Sequence, residues 1–167
     1  MKGVVCMEKL NPKAETGCCE RFDPSPWQEK EVRFEDKLFL KERVFCVFHI
    51  PLGFGGVMTR DMEKISAAGA LADKPLMLYD GSSLFGADLY IAVSKEVPGA
   101  KMQRISGTFL SKVFEGGFQD SGKWAGEMNE YVKAAGKKAK KIYFYYTTCP
   151  SCAKYYGKSY TVLLAAV

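Results

Sequence analysis

A strand–helix–strand–strand pattern occurs twice in this 167-residue chain, and a repeated pattern restricts the fold more than any single motif does. In the second copy Phe109–Phe114 is extended and apolar, and Glu115-Gly116-Gly117-Phe118 turns the chain. Trp124, Met128, Tyr131, Val132 and Ala135 then recur at helical spacing and mark one buried helix face. Gly136 is placed to end that helix, because the residue past a helix end often needs a positive φ. Ile142–Tyr146 resumes strand character and Tyr160–Ala166 closes the copy.

The first copy reads the same way. Leu38–Leu40 and Val44–Ile50 form a strand pair or one long bent strand, and Pro51 ends it by removing a ladder donor. Gly53, Gly55 and Gly56 make a turn, and a helix over about Val57 to Ala68 points Met58, Met62 and Ile65 inward. Gly69 stops it, and Leu76–Tyr79 and Asp88–Val93 are strands. Ala67-Ala68-Gly69 aligns with Ala134-Ala135-Gly136, which sets the register of the repeat. One such module cannot bury both faces of its sheet, so two of them pair. The expected fold is α+β: an antiparallel sheet from two pseudo-symmetric modules, residues 38–99 and 100–167, with helices on one side. Residues 1–37 form an N-terminal arm, in which Phe22 and Trp27 are placed to pin the proline-broken segment Pro24-Ser25-Pro26 to the body.

Composition narrows the function classes. The net charge of +5 is concentrated in Lys137-Lys138-Ala139-Lys140-Lys141, a loop after a helix end, which lacks the reading helix or aromatic platform of a nucleic-acid site. No stretch approaches the ~20 apolar residues that cross a bilayer, and residues 1–10 lack the apolar core of a signal peptide. A cytoplasmic protein with no nucleic-acid or membrane partner is expected, and with it reduced cysteines or a metal site rather than disulfides.

The doubled module, with Val113-Phe114-Glu115-Gly116-Gly117-Phe118 leading into the helix that carries Trp124, resembles the GyrI-like small-molecule-binding domains over about residues 38–167. The haem-binding SOUL proteins share that tandem architecture. The resemblance implies a cleft between the modules that takes bulky, planar, hydrophobic ligands such as tetrapyrroles or polycyclic drugs. Some relatives resemble hydrolases that open strained cyclopropane-bearing toxins, which makes a hydrolase of a strained or activated small molecule the alternative. The gyrase-inhibiting relatives add a third class, a module that inhibits a protein partner; the basic net charge argues mildly against it. Family members that bind cationic drugs carry a glutamate on a late strand. Ile142–Tyr146 has no carboxylate, which argues against that chemistry at this position. Residues 1–37 are too short and too proline-broken for a helix-turn-helix, so a standalone domain is expected.

Candidate site residues follow from the strand faces. Tyr143 and Tyr145 share one face of their strand, and Tyr90 stands on the corresponding strand of the first module. Facing a cleft, they would stack on a planar ligand and orient it through their hydroxyls; facing inward, they would fill the core. Phe54 and Phe118, in the glycine turns, join the ligand-binding set. Glu115 precedes two glycines that let a ligand approach the backbone, and Asp88 alternates with apolar residues; these are the candidate acids if the protein is an enzyme. His49, the only histidine, sits at an expected strand end and suits a haem ligand or an acid/base near neutral pH. Cys149-Pro150-Ser151-Cys152 has the spacing of a redox pair or of half a zinc site, and Cys18-Cys19 would have to supply the other ligands of a structural zinc. Adjacent cysteines do not readily both reach one metal, so free thiols and a conditional disulfide stand beside that reading.

Overall fold

The computed structural model describes residues 13–167. Their folding is α+β and antiparallel, in two compact units: residues 34–106, and residues 13–33 with 107–167. The expectation about residues 1–12, part of the arm, lies outside the described residues.

In unit one, strand β1 (Lys30–Val47, its first four residues belonging to unit two) pairs antiparallel with β4 (Gly86–Ala92), in register from Phe39 opposite Ala92 to Phe45 opposite Gly86. β3 (Met77–Asp80) pairs with the far side of β4. Of the two readings of the stretch before Pro51, a strand pair or one long strand, the structure has the long strand. β1 then reverses through Phe48 and His49 into the short β2 (Ile50–Pro51). Both turn residues have positive φ, 46° and 67°, as a tight hairpin turn demands of its central pair. His49 is thereby moved from a strand end to a turn. An L side chain there is strained, and the hydrogen bond between His49 Nδ1 and the Gly81 carbonyl, at 2.9 Å, helps hold the turn.

Helix α1 (Phe54–Ala67) lies on the face of this sheet that carries Leu40, Val44, Leu89 and Ile91, and meets it with the fully buried Ile65. Its end follows the expected chemistry. Gly69 takes a φ of 59°, its N–H reaches the Ser66 carbonyl, and the Ala70 N–H reaches Ile65. The opposite sheet face carries Phe39, Lys41, Arg43, Asp88 and Tyr90, since residues opposite one another in a ladder point the same way. Phe39 and Tyr90 meet there edge to face, ring centroids 6.3 Å apart.

In unit two, β7 (Tyr160–Ala166) is the middle strand, antiparallel to β5 (Met102–Glu115, residues 107 onward in this unit) and to β6 (Lys141–Tyr146). Helix α2 (Ser121–Ala134) sets Trp124, Met128 and Val132 against Leu110, Phe114, Leu163 and Ala165. Trp124 stacks on Phe114 at 5.7 Å. Gly116 makes this stacking possible. Its φ is 147°, and a Cβ there would stand 3.1 Å from the Trp124 ring.

The other face of the unit-two sheet is covered by the arm. Phe22 and Trp27 pack on Tyr145 with centroids 6.3 and 5.6 Å away, and the Ser111 hydroxyl donates to the Trp27 carbonyl at 2.7 Å. The pinning read from these two aromatic residues is therefore real, and it occupies the face on which Tyr145 lies. A third helix, α3 (Pro150–Tyr156), stands between β6 and β7. Its signals were present: Pro150 in the first turn, Cys149 as a cap whose sulfur accepts from the Cys152 N–H, and Gly157 at φ 71° beyond the end. Among the described residues no helix is long and apolar enough to cross a membrane.

Candidate functional site

Unit one contains a cavity of about 440 Å³, within the size range of small-molecule sites. Lys41, Glu42 and Arg43 of β1, Asp61 and Lys64 of α1, Asp88 of β4 and the chain at Gly99–Lys101 line it. Its wall is charged, not aromatic.

Asp88 is the anion that orders one part of this wall. It pairs with Lys41 Nζ and with Arg43 Nη1, each at 3.0 Å. Burial opposes its charge, but the hydrogen bonds from Lys41 and Arg43 outweigh burial and hold its carboxyl below the usual range. Asp88 is an ionised, fully engaged group.

Asp61 is its opposite. The side chain is fully buried, and neither carboxylate oxygen accepts a hydrogen bond. Arg60 Nε and Lys64 Nζ approach only to 3.5 and 3.7 Å, and both cations lie partly in solvent. Burial, reinforced by the negative charge of Glu42, pushes the Asp61 carboxyl above its usual range, against the pull of Arg60 and Lys64. A buried carboxyl with free lone pairs and a raised pKa, on a cavity wall, has the attributes of a general base or acid. The candidate residues read from sequence did not include Asp61. A signal for it existed: the register that aligns Gly69 with Gly136 also aligns Asp61 with Met128, which periodicity already marked as inward.

The residues expected to form a site fall into both units. In unit one, Tyr90 is buried against Phe39 with the Lys41 ammonium over its ring at 5.3 Å, Phe54 packs on Tyr79 at 6.5 Å, and His49 is exposed in its turn. In unit two, Tyr143 is buried beside Phe109, ring centroids 6.2 Å apart, and Tyr145 is covered by Phe22 and Trp27. Burial drives the Tyr145 hydroxyl up to about 12, with the nearby Cys19 and Glu20 adding to the shift. Of the two orientations left open for this pair, Ile142 and Phe144 take the side toward α2, and Tyr143 and Tyr145 lie on the opposite face. Tyr143 is enclosed and the arm covers Tyr145, because two large aromatic side chains on a short proline-broken segment gain most by burial against a third. Glu115 is exposed at the end of β5, and Phe118 rests on Tyr146 at 5.8 Å, in the single turn before α2.

Unit two also brings together the four cysteines of the two cysteine motifs. The sulfurs of Cys18, Cys19, Cys149 and Cys152 lie within 4.8 Å of one another. Cys19, Cys149 and Cys152 carry thiols outside any disulfide, and Cys18 is disulfide-bonded in this structure.

With this geometry established, the chain can be placed among known proteins. The solved structure of SAV2435 bound to tetraphenylphosphonium has the same fold, with a TM-score of 0.50 at 12% identity over 84% of this chain and 93% of that one. A search of curated proteins finds no match. A family model described as bacterial hydrolase matches residues 10–167, nearly the whole sequence. By that match the chain belongs to the bacterial hydrolase family.

Proposed function

We propose that the protein binds a small polar molecule in the charged cavity of unit one and hydrolyses it, with Asp61 as the general base. The observation that carries this reading is the Asp61 carboxylate, fully buried on the cavity wall with no hydrogen bond to either oxygen. A water reaching the carboxylate would lose a proton to Asp61 as its oxygen bonds an electrophilic carbon of the substrate, and the bond from that carbon to the leaving group would then break, the leaving group taking up the proton from Asp61. Lys64, beside the same carboxylate, is placed to stabilise the oxyanion that forms. Asp88 holds Lys41 and Arg43 in position, a supporting role that its paired state suits better than proton transfer. Membership of the bacterial hydrolase family supports the reaction class.

The test is a screen of chromogenic esters, lactones and epoxides with the wild-type chain and Asp61→Asn. The variant keeps size and shape and removes the base. Turnover lower by roughly a hundredfold or more, with no loss of thermal stability, is expected. Equal turnover in both proteins refutes the role of Asp61.

A second reading is favoured by a different observation. Phe48 and Phe85 pair at 6.1 Å on the surface of unit one while remaining 70% and 58% exposed. Aromatic faces left open in this way suit a bulky, planar, apolar ligand of the tetrapyrrole or polycyclic class, bound without turnover. The ligand held by SAV2435 and the GyrI-like resemblance of the sequence support a bulky hydrophobic ligand. Titration with tetraphenylphosphonium and with a porphyrin separates the readings: saturable binding lost in a Phe48→Ser, Phe85→Ser double variant favours this one, and no binding of either removes it.

A further inference from the structure

We propose that Cys18, Cys19, Cys149 and Cys152, as thiolates, bind one zinc ion, and that this ion fastens the arm to unit two. Four sulfurs at the corners of a tetrahedron around zinc, each about 2.3 Å from the metal, stand about 3.8 Å from one another. The Cys18 and Cys19 sulfurs are 3.6 Å apart, those of Cys18 and Cys149 are 4.0 Å apart, and no pair of the four exceeds 4.8 Å. The objection that adjacent cysteines do not reach one centre is answered by the short separation of Cys18 and Cys19.

Hydrogen-bonding groups surround the sulfurs. The Cys149 backbone N–H donates to the Cys19 sulfur at 3.4 Å, and the Cys152 N–H donates to the Cys149 sulfur at 3.5 Å. The Cys152 thiol donates to the Thr16 hydroxyl at 3.2 Å, and that hydroxyl donates to the Cys19 carbonyl at 3.1 Å, which ties the two cysteine segments together. Supporting hydrogen bonds of this kind fix ligand orientation before the metal arrives. The two halves of the site are also held by contacts that do not involve sulfur: the Tyr156 hydroxyl donates to the Cys19 carbonyl at 2.7 Å, and the Arg21 guanidinium lies over the Tyr156 ring at 4.6 Å. An all-sulfur, tetrahedral donor set selects zinc or iron over the hard cations. Binding releases the thiol protons to solvent. It requires Cys18 reduced, since a disulfide sulfur has no thiolate to offer. The site closes a loop of more than a hundred residues, which is where a cross-link constrains the unfolded chain most.

The experiment uses the full chain, purified with a phosphine reductant and equilibrated with buffered zinc. One zinc per chain by mass spectrometry is expected, and replacement by cobalt should give the intense visible bands of a tetrahedral tetrathiolate. Cys18→Ser, Cys19→Ser, Cys149→Ser and Cys152→Ser should each weaken zinc binding by roughly a hundredfold or more. Cys46→Ser, buried in unit one, should leave it unchanged. Removing zinc should speed tryptic cleavage after Arg21. Absence of bound zinc together with no cobalt spectrum overturns the proposal, as does bound iron, or zinc binding that survives both Cys18→Ser and Cys19→Ser. A Cys149–Cys152 disulfide that persists in reductant overturns it in favour of a redox pair. If a serine variant fails to fold, the cobalt spectrum of the wild-type chain still decides the donor set.

Discussion

Helices α1 and α2 have the same length, 14 residues, and the same ending, and each buries one face on three-stranded antiparallel packing. The Ala68 and Ala135 N–H groups reach back to Lys64 and Tyr131, Gly69 and Gly136 both take positive φ, and Ile65 corresponds to Val132. At one inward position they part. Met128 is fully buried in unit two, and Asp61 is fully buried at the corresponding place in unit one. A methionine there contributes hydrophobic burial, whereas an aspartate without a hydrogen bond opposes folding. The sheet and the caps tolerate either residue, so the acid is not needed for the fold. That is the argument for giving it a chemical role.

The comparison can be broken most sharply by putting the acid where it has no cavity. Met128→Asp should destabilise the protein by about 3–5 kcal/mol at neutral pH, because the new carboxylate would be buried in an apolar cluster. Urea denaturation measures this, and a loss below about 1 kcal/mol would mean that either helix accepts an acid. The reverse exchange, Asp61→Met, should raise stability by about 1–3 kcal/mol at neutral pH while removing hydrolysis. The pH dependence carries a sign. The Asp61 carboxyl is raised above the ordinary aspartate value, so its protonated form is favoured by folding, and the wild type loses relative stability as pH rises through the folded value. The advantage of Asp61→Met should therefore open as pH rises from about 4 and vanish below it.

The smallest effect belongs to the paired acid. Asp88→Asn should cost about 1–2 kcal/mol at neutral pH, since it leaves Lys41 without its anion, while the more exposed Arg43 turns to solvent. Here the sign is opposite. The Asp88 carboxyl is held below 3.8, so its contribution is present above that value and is lost as pH falls through the folded one. Parallel pH profiles for the Asp61 and Asp88 variants would contradict the distinction drawn between the two acids.

Much of the architecture was legible because it rests on periodicity. Trp124, Met128 and Val132 line the buried face of α2 as their spacing requires, and Leu89 and Ile91 separate from Asp88 and Tyr90 across β4. What escaped was set by contacts remote in sequence. Asp61 looks like an ordinary polar residue of a helix until its partner in the repeat is named. The covering of Tyr145 depends on Phe22 and Trp27, more than a hundred residues away. His49 was assigned to a strand because its neighbours alternate, and the two positive φ values that turn the chain there leave no trace in residues such as Phe48 and His49. The four cysteines were named from the sequence as one candidate set, spacing pointing to Cys149 and Cys152 and the need for further ligands to Cys18 and Cys19, and their sulfurs do come together.

The order of segments along the chain has a consequence for synthesis on the ribosome. Among the described residues unit one is one continuous stretch, residues 34–106, and each strand of its sheet meets its neighbour soon after both have emerged. Unit two is interrupted by that stretch, and its middle strand is β7, residues 160–166. Until β7 is made, β5 and β6 have no common neighbour, and Phe22 and Trp27 have no completed surface to cover. The nascent chain thus carries two idle aromatic side chains for most of its elongation and an apolar half-sheet over its closing stretch, which marks unit two as the part of this protein that a chaperone would meet first.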